Sequence, residues 1–153
     1  MDKSKELTAS LKLINDKLHF TGLVEGNSPV SIDYTPPLGD HLGYTSLELL
    51  LLSLSSCLGS ATLTFLRRMG KTITNFEIRS KGLRKQEHPT GLSHIIMEMD
   101  ITAENLLEAE VDKVVKLAEA TYCPVWSMLR GNVTVEVKYN INGQKDIPPS
   151  PAL

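Results

Sequence analysis

Cys57 and Cys123 are the only cysteines among 153 residues, and both stand where a thiol can do chemistry. Cys57 has small neighbours, Ser55, Ser56, Gly59 and Ser60, which let a substrate or another side chain reach the sulfur. Cys123 directly precedes Pro124, a residue suited to the first position of a helix. Unpaired amide groups at such a start favour an anion, so a thiolate there is stabilised. Two readings are open. The pair is redox-active, with a thiolate as nucleophile, or both residues are small buried hydrophobes. The 66-residue separation makes no metal motif, and CxxC is absent, which argues against a thioredoxin-like site.

Glu48 is the next candidate. It lies nine residues before Cys57. On one helix, nine steps of about 100° put it on the opposite face, ~13.5 Å along the axis. It meets a cysteine only across a subunit interface; the other reading is a helix cap. The histidines are His19, His41, His88 and His94, and no two have metal-ligand spacing on one element. His41 alone precedes the Cys57 segment closely enough to approach it, and a solvated loop histidine is the competing reading. The serines form no GxSxG elbow, so hydrolysis is poorly supported. No GxGxxG or phosphate loop occurs. Trp126 reads as a core or interface anchor.

These residues need a frame. The length suits about one domain, and residues 148–153, with Pro148, Pro149 and Pro151, read as a loose tail. Sixteen basic and 18 acidic residues give a net charge of −2. Nothing there would hold a phosphate backbone, so nucleic acid is not an expected partner. Apolar residues are 41% of the chain, too many for disorder. The charged start MDKSKELTAS lacks the pattern of a secretory signal, so the expected location is cytoplasmic.

Short strands are expected over 7–35, with Asn15-Asp16 and Ser28-Pro29 as turns and Val30, Ile32 and Tyr34 alternating. Residues 36–44 form a loop. Thr45 and Glu48 make a capping box for a long helix closed by Gly70. Its segment 47–66 is long enough to span a bilayer, but Glu48, the serines and the threonines favour a buried central helix. One small subunit has little material to cover such a helix, and a homo-oligomer sharing it would. A hairpin over 72–84 and 92–102, a helix over about 104–121, a short helix from Pro124 to Gly131 and a strand over 133–141 complete an α+β pattern.

Two stretches resemble the OsmC/Ohr family of cysteine-based hydroperoxide reductases. Residues 43–57, GYTSLELLLLSLSSC, are similar to its pattern of Gly, helix start, Glu-Leu-Leu, small residues and first cysteine. Residues 118–125, AEATYCPV, are similar to its "A…CPV" signature. Asp33, in a strand before the Pro/Gly loop, also fits. The resemblance covers residues 7 to 141. It implies a single OsmC-like domain over 1–147 with antiparallel sheets around long central helices, assembled as an intertwined homodimer. It implies that Cys57 attacks an organic hydroperoxide, becomes a sulfenic acid, and condenses with Cys123 to a disulfide. An external dithiol, such as a lipoylated protein, then reduces that bond. No metal or organic cofactor is implied, and no membrane.

The chain departs from the family at two points. Family peroxidases use an arginine from the N-terminal strands, and here none precedes Arg67. Lys12, Lys17 and His19 are the available substitutes, without the guanidinium fork. The glutamate found ten residues before the first cysteine is replaced by Leu47, and the acid is Glu48. The runner-up is an OsmC-like dimer that binds a small apolar or thiol-reactive ligand without turnover.

Overall fold

Apolar alternation between Ser10 and Ile32 becomes three short antiparallel strands in the computed structural model, which describes residues 6–143. They are β1 (Ser10–Leu13), β2 (Phe20–Leu23) and β3 (Val30–Ile32), in the order β1-β2-β3. Register pairs Leu11 with Gly22, Leu13 with Phe20, and Gly22 with Val30. One face therefore carries Leu11, Leu13, Phe20, Gly22, Val30 and Ile32. Leu11 and Leu13 remain 60% and 52% exposed. The first turn is wider than expected. The Asn15 side-chain oxygen accepts from the amides of Lys17 and His19, so Lys17 and Leu18 belong to the turn and β2 starts at Phe20. β3 likewise stops at Ile32, before the expected Tyr34. The chain divides at Leu49/Leu50 into two compact units, and these strands belong to the first.

The long helix α1 (Ser46–Arg68) opens on the expected capping box and ends at Gly70, whose φ of 79° suits a residue without Cβ. Its buried residues, Leu54, Leu58, Ala61, Thr62 and Leu66, recur at helical spacing. By length and composition α1 is apolar enough to cross a membrane. Only 33% of its most apolar window is buried within the chain, less than a buried central helix requires.

The second unit is built on β4 (Ile73–Arg84), β5 (Leu92–Ala103) and β6 (Thr134–Ile141). Ile95, Met97, Met99 and Ile101 alternate inward and are at most 1% exposed. On the same face, α1 lies close over β4: a Cβ on Gly59 would sit 3.2 Å from the Phe76 ring and 3.3 Å from Ile78. Ser55 Oγ donates to the Leu51 carbonyl at 2.8 Å, leaving Ser80 Oγ to donate to it at 2.6 Å.

One strand pair corrects the expectation of purely antiparallel sheets. β5 pairs with β4 antiparallel but with β6 parallel, Ile95 opposite Val135 and Ile101 opposite Ile141. A helical crossover intervenes, as parallel neighbours require. It comprises α2 (Glu108–Leu117), a single π-helical turn (Ala118–Tyr122) and α3 (Pro124–Leu129). α2 starts later than the expected residue 104, because Asn105 adopts a φ of 54° and Glu110 caps the Leu107 amide at 3.0 Å. The tail expected over 148–153 lies outside the described residues.

Candidate functional site

The π-turn decides where Cys123 points. The Cys123 amide donates to the Ala118 carbonyl at 2.9 Å, five residues back, and this widened turn ends the helical run. Cys123 leaves the helix with φ −104° and ψ 94°, and Pro124 restarts it as the first residue of α3. Cys123 is the N-cap of that helix: its Sγ accepts from the Trp126 amide at 3.4 Å. The sulfur is walled in at 1% exposure, with Trp126 at 5%.

α1 brings Cys57 to the same place. The Cys57 thiol is an interacting neighbour of Cys123. Both are free thiols, Cys57 half-buried and Cys123 buried. Burial first, then the interaction with Cys57, pushes the Cys123 thiol up to about 12. The Trp126 amide opposes that rise without reversing it. The expected advantage of a helix start for a Cys123 thiolate is thus outweighed by desolvation. At neutral pH Cys123 is a protonated thiol beside a more accessible one.

Glu48 serves the start of α1. Its carboxylate accepts from the Thr45 amide at 2.7 Å and the Thr45 hydroxyl at 2.9 Å. These bonds, aided by His41, hold it below its ordinary range despite some desolvation. His41 is exposed, with φ 59°, and its amide donates to the Tyr34 carbonyl. Of the residues considered in place of the missing arginine, Lys17 pairs with Asp40 and His19 with Ser31. Ser31 Oγ donates to the Leu42 carbonyl at 2.8 Å, so His19 Nε2 must donate to Ser31 at 2.9 Å. That direction makes the contact a strut of the loop and not a hydrolytic Ser–His dyad.

Asp33 is fully buried and anchors the loop between β3 and α1. It accepts from the amides of Tyr34, Asp40 and Leu42 at 2.8, 3.0 and 3.0 Å. Burial alone would raise its carboxyl, but the three amides together hold it below its ordinary range. Gly39 belongs to the same arrangement: a Cβ there would stand 2.1 Å from Asp33 Oδ1. Sequence reasoning put Asp33 in a strand, but β3 ends at Ile32 and Asp33 lies in the loop it anchors, a duty the sequence did not show. It also missed the π-turn, which no residue pattern announces. Among the described residues no cluster of His, Cys, Asp and Glu is arranged to hold a metal.

A family model described as OsmC-like protein matches residues 39–138, which include both cysteines. The chain belongs to the OsmC-like family. Protein YhfA of Escherichia coli strain K12 is 24% identical over 95 residues, 62% of this chain and 71% of YhfA. An OsmC-like protein from Mycoplasma pneumoniae superposes with a TM-score of 0.76 at 19% identity, over 90% of this chain and 98% of that one. An organic hydroperoxide resistance protein OsmC from Legionella pneumophila superposes with a TM-score of 0.69 at 16% identity, over 91% and 99%. The α+β OsmC-like fold expected from the sequence is thus present, and the family includes hydroperoxide resistance proteins.

Proposed function

We propose that this OsmC-like protein is a thiol-dependent peroxidase that reduces organic hydroperoxides. The observation that carries this reading is the pairing of a half-buried Cys57 thiol with a buried, protonated Cys123 thiol. Their accessibility divides the roles. The Cys57 thiolate attacks one peroxide oxygen, the O–O bond breaks, and the alkoxide takes a proton and leaves as alcohol. Cys57 is then a sulfenic acid. The Cys123 sulfur attacks it, the S–S bond forms, and the sulfenic oxygen leaves as water with the thiol proton. An external dithiol, such as a protein-bound lipoyl group, returns both thiols and becomes a disulfide itself. The chemistry requires no metal or organic cofactor. Glu48 enters as a positioning residue that orders the start of the Cys57 helix.

The reading includes a homodimer in the cytoplasm. α1 leaves most of its apolar length uncovered within one chain, and the β1-β2-β3 sheet presents an exposed apolar face. A second copy is able to cover apolar faces of this kind. One observation favours a binding role instead: no arginine precedes Arg67 to polarise a peroxide.

Free thiols counted before and after one equivalent of cumene hydroperoxide, with hydrogen peroxide in parallel, decide between the readings. The peroxidase loses two thiols per chain, recovers them with a dithiol, and does neither as Cys57→Ser. An unchanged count over minutes overturns turnover in favour of ligand binding.

A further inference from the structure

Cys123 holds two positions at once. Its sulfur neighbours Cys57 and is also the cap that accepts the Trp126 amide. Two unbonded thiols stand no closer than van der Waals contact of their sulfurs, whereas a disulfide closes them to about 2.05 Å. That closure displaces one or both sulfurs by well over an ångström in all. α1 is a poor candidate to yield. It is anchored by buried Leu54, Leu58, Ala61 and Leu66, and Gly59 is set close over Phe76 and Ile78.

The Cys123 side is built more lightly. α3 has six residues, and its buried side chain is Trp126. Its far end is tied back by Arg130, whose guanidinium donates to the Glu119 carbonyl. Its exposed residues include Met128 at 71%. The π-turn before it holds one helical turn in a rarely populated form.

We propose that closing the Cys57–Cys123 disulfide draws the Cys123 sulfur off the Trp126 amide, so that α3 acts as a redox-released lid over Cys123. In the reduced protein the cap is made, Trp126 is buried and the lid is shut. In the oxidised protein the first turn of α3 is uncapped and loosens. This solves an access problem in the proposed cycle: an external dithiol must attack a disulfide of which one sulfur is 1% exposed. The inference rests on the two-cysteine reading and adds the step that opens the bond to its reductant.

Trp126 is the only tryptophan, so its fluorescence reports on α3 alone. The protein is oxidised with diamide, which closes a neighbouring thiol pair whether or not peroxides are substrates. Thiol counting confirms the bond. Amide exchange over 124–130 is then followed by mass spectrometry beside Trp126 emission. The expected result is at least tenfold faster exchange and red-shifted emission in the oxidised form, both reversed by dithiothreitol. Cys57→Ser, which keeps the cap and cannot close the bond, shows no change with diamide. Cys123→Ser keeps an N-cap side chain and stays protected throughout. A closed disulfide with unaltered exchange and emission overturns the lid and leaves the peroxidase reading standing. Failure of diamide to close the bond at all overturns both.

Discussion

The Cys57 and Cys123 thiols are interacting neighbours, yet the two sulfurs stand in different surroundings. Cys57 comes from a regular helix and is half-buried. Cys123 comes from a break between a π-turn and α3 and is 1% exposed. The asymmetry suits one sulfur to meet a substrate and the other to receive the product of that encounter.

It predicts selective alkylation. With its thiol pushed up to about 12, Cys123 is ionised to about one part in ten thousand at pH 8. Its reaction with iodoacetamide in the folded protein is therefore expected on the order of a thousandfold slower than that of a free cysteine. Mass mapping after brief labelling finds Cys57 modified and Cys123 intact. Unfolding in guanidinium brings Cys123 to the free-cysteine rate. Equal labelling of both in the folded chain contradicts the burial on which the assignment depends.

The same thiol makes stability depend on alkaline pH. Tyr139 adds to it. Burial, and then the bond its hydroxyl donates to Asp112 at 2.7 Å, push it up to about 12 as well. Both groups are neutral when protonated, and both ionise more readily in the unfolded chain. Their contributions are complete below the unfolded values, near 9 to 10, and are lost as pH rises toward 12. Urea midpoints of the reduced protein are expected to be level from pH 7 to 9 and to fall steeply above. Tyr139→Phe flattens part of that fall, and a profile unchanged by the substitution refutes the Tyr139 share.

Acid acts through Asp33. Its carboxyl is lowered on folding, so its contribution is present above the unfolded value near 3.9 and disappears as pH falls through the folded one. Asp33→Asn replaces two accepting oxygens by one, leaves at least one buried amide of the loop unmet, and removes this acid limb. Gly39→Ala disturbs the same anchor sterically and is expected to cost about 2–3 kcal/mol. Thermal melts at pH 7 and near pH 2, well below the unfolded value, test both. The Asn variant should lose its disadvantage at the lower pH, whereas the Ala variant should not.

Much of this was legible in the residues. Thr45, Glu48 and Gly70 marked the ends of α1, and the alternation of Ile95, Met97, Met99 and Ile101 marked the inner face of β5. The two motif stretches identified the family and both cysteines. Other features were not written in local patterns. A π-turn differs from an α-turn by one residue of hydrogen-bond offset, which AEATY does not encode. Antiparallel and parallel strands share one alternation, so β6 showed its side-chain faces but not its direction. The clue was the long helical connection from Ala103 to Thr134, since a parallel pair needs such a crossover. The depressed ionisation of Asp33 arises from amides of residues 34, 40 and 42 folded back around it, a tertiary fact.

The uncovered length of α1 yields the last prediction. Leu52 is 51% exposed in the first third of the apolar helix α1, and Leu11 and Leu13 are exposed on the β1-β2-β3 sheet. Left bare, surfaces of this kind invite aggregation; covered by a second copy, they form an interface with an apolar core. The chain is therefore expected to sediment at twice its 16.9 kDa mass at micromolar concentration. Leu52→Glu buries a charge in that interface and should shift the protein to monomer or weaken the dimer at least a hundredfold, since an unpaired buried carboxylate costs several kcal/mol. Its effect on the isolated helix is small, because Glu and Leu have similar helix propensity and the site is exposed within one chain. A wild-type monomer in sedimentation, or a Leu52→Glu dimer as tight as wild type, places the contact elsewhere.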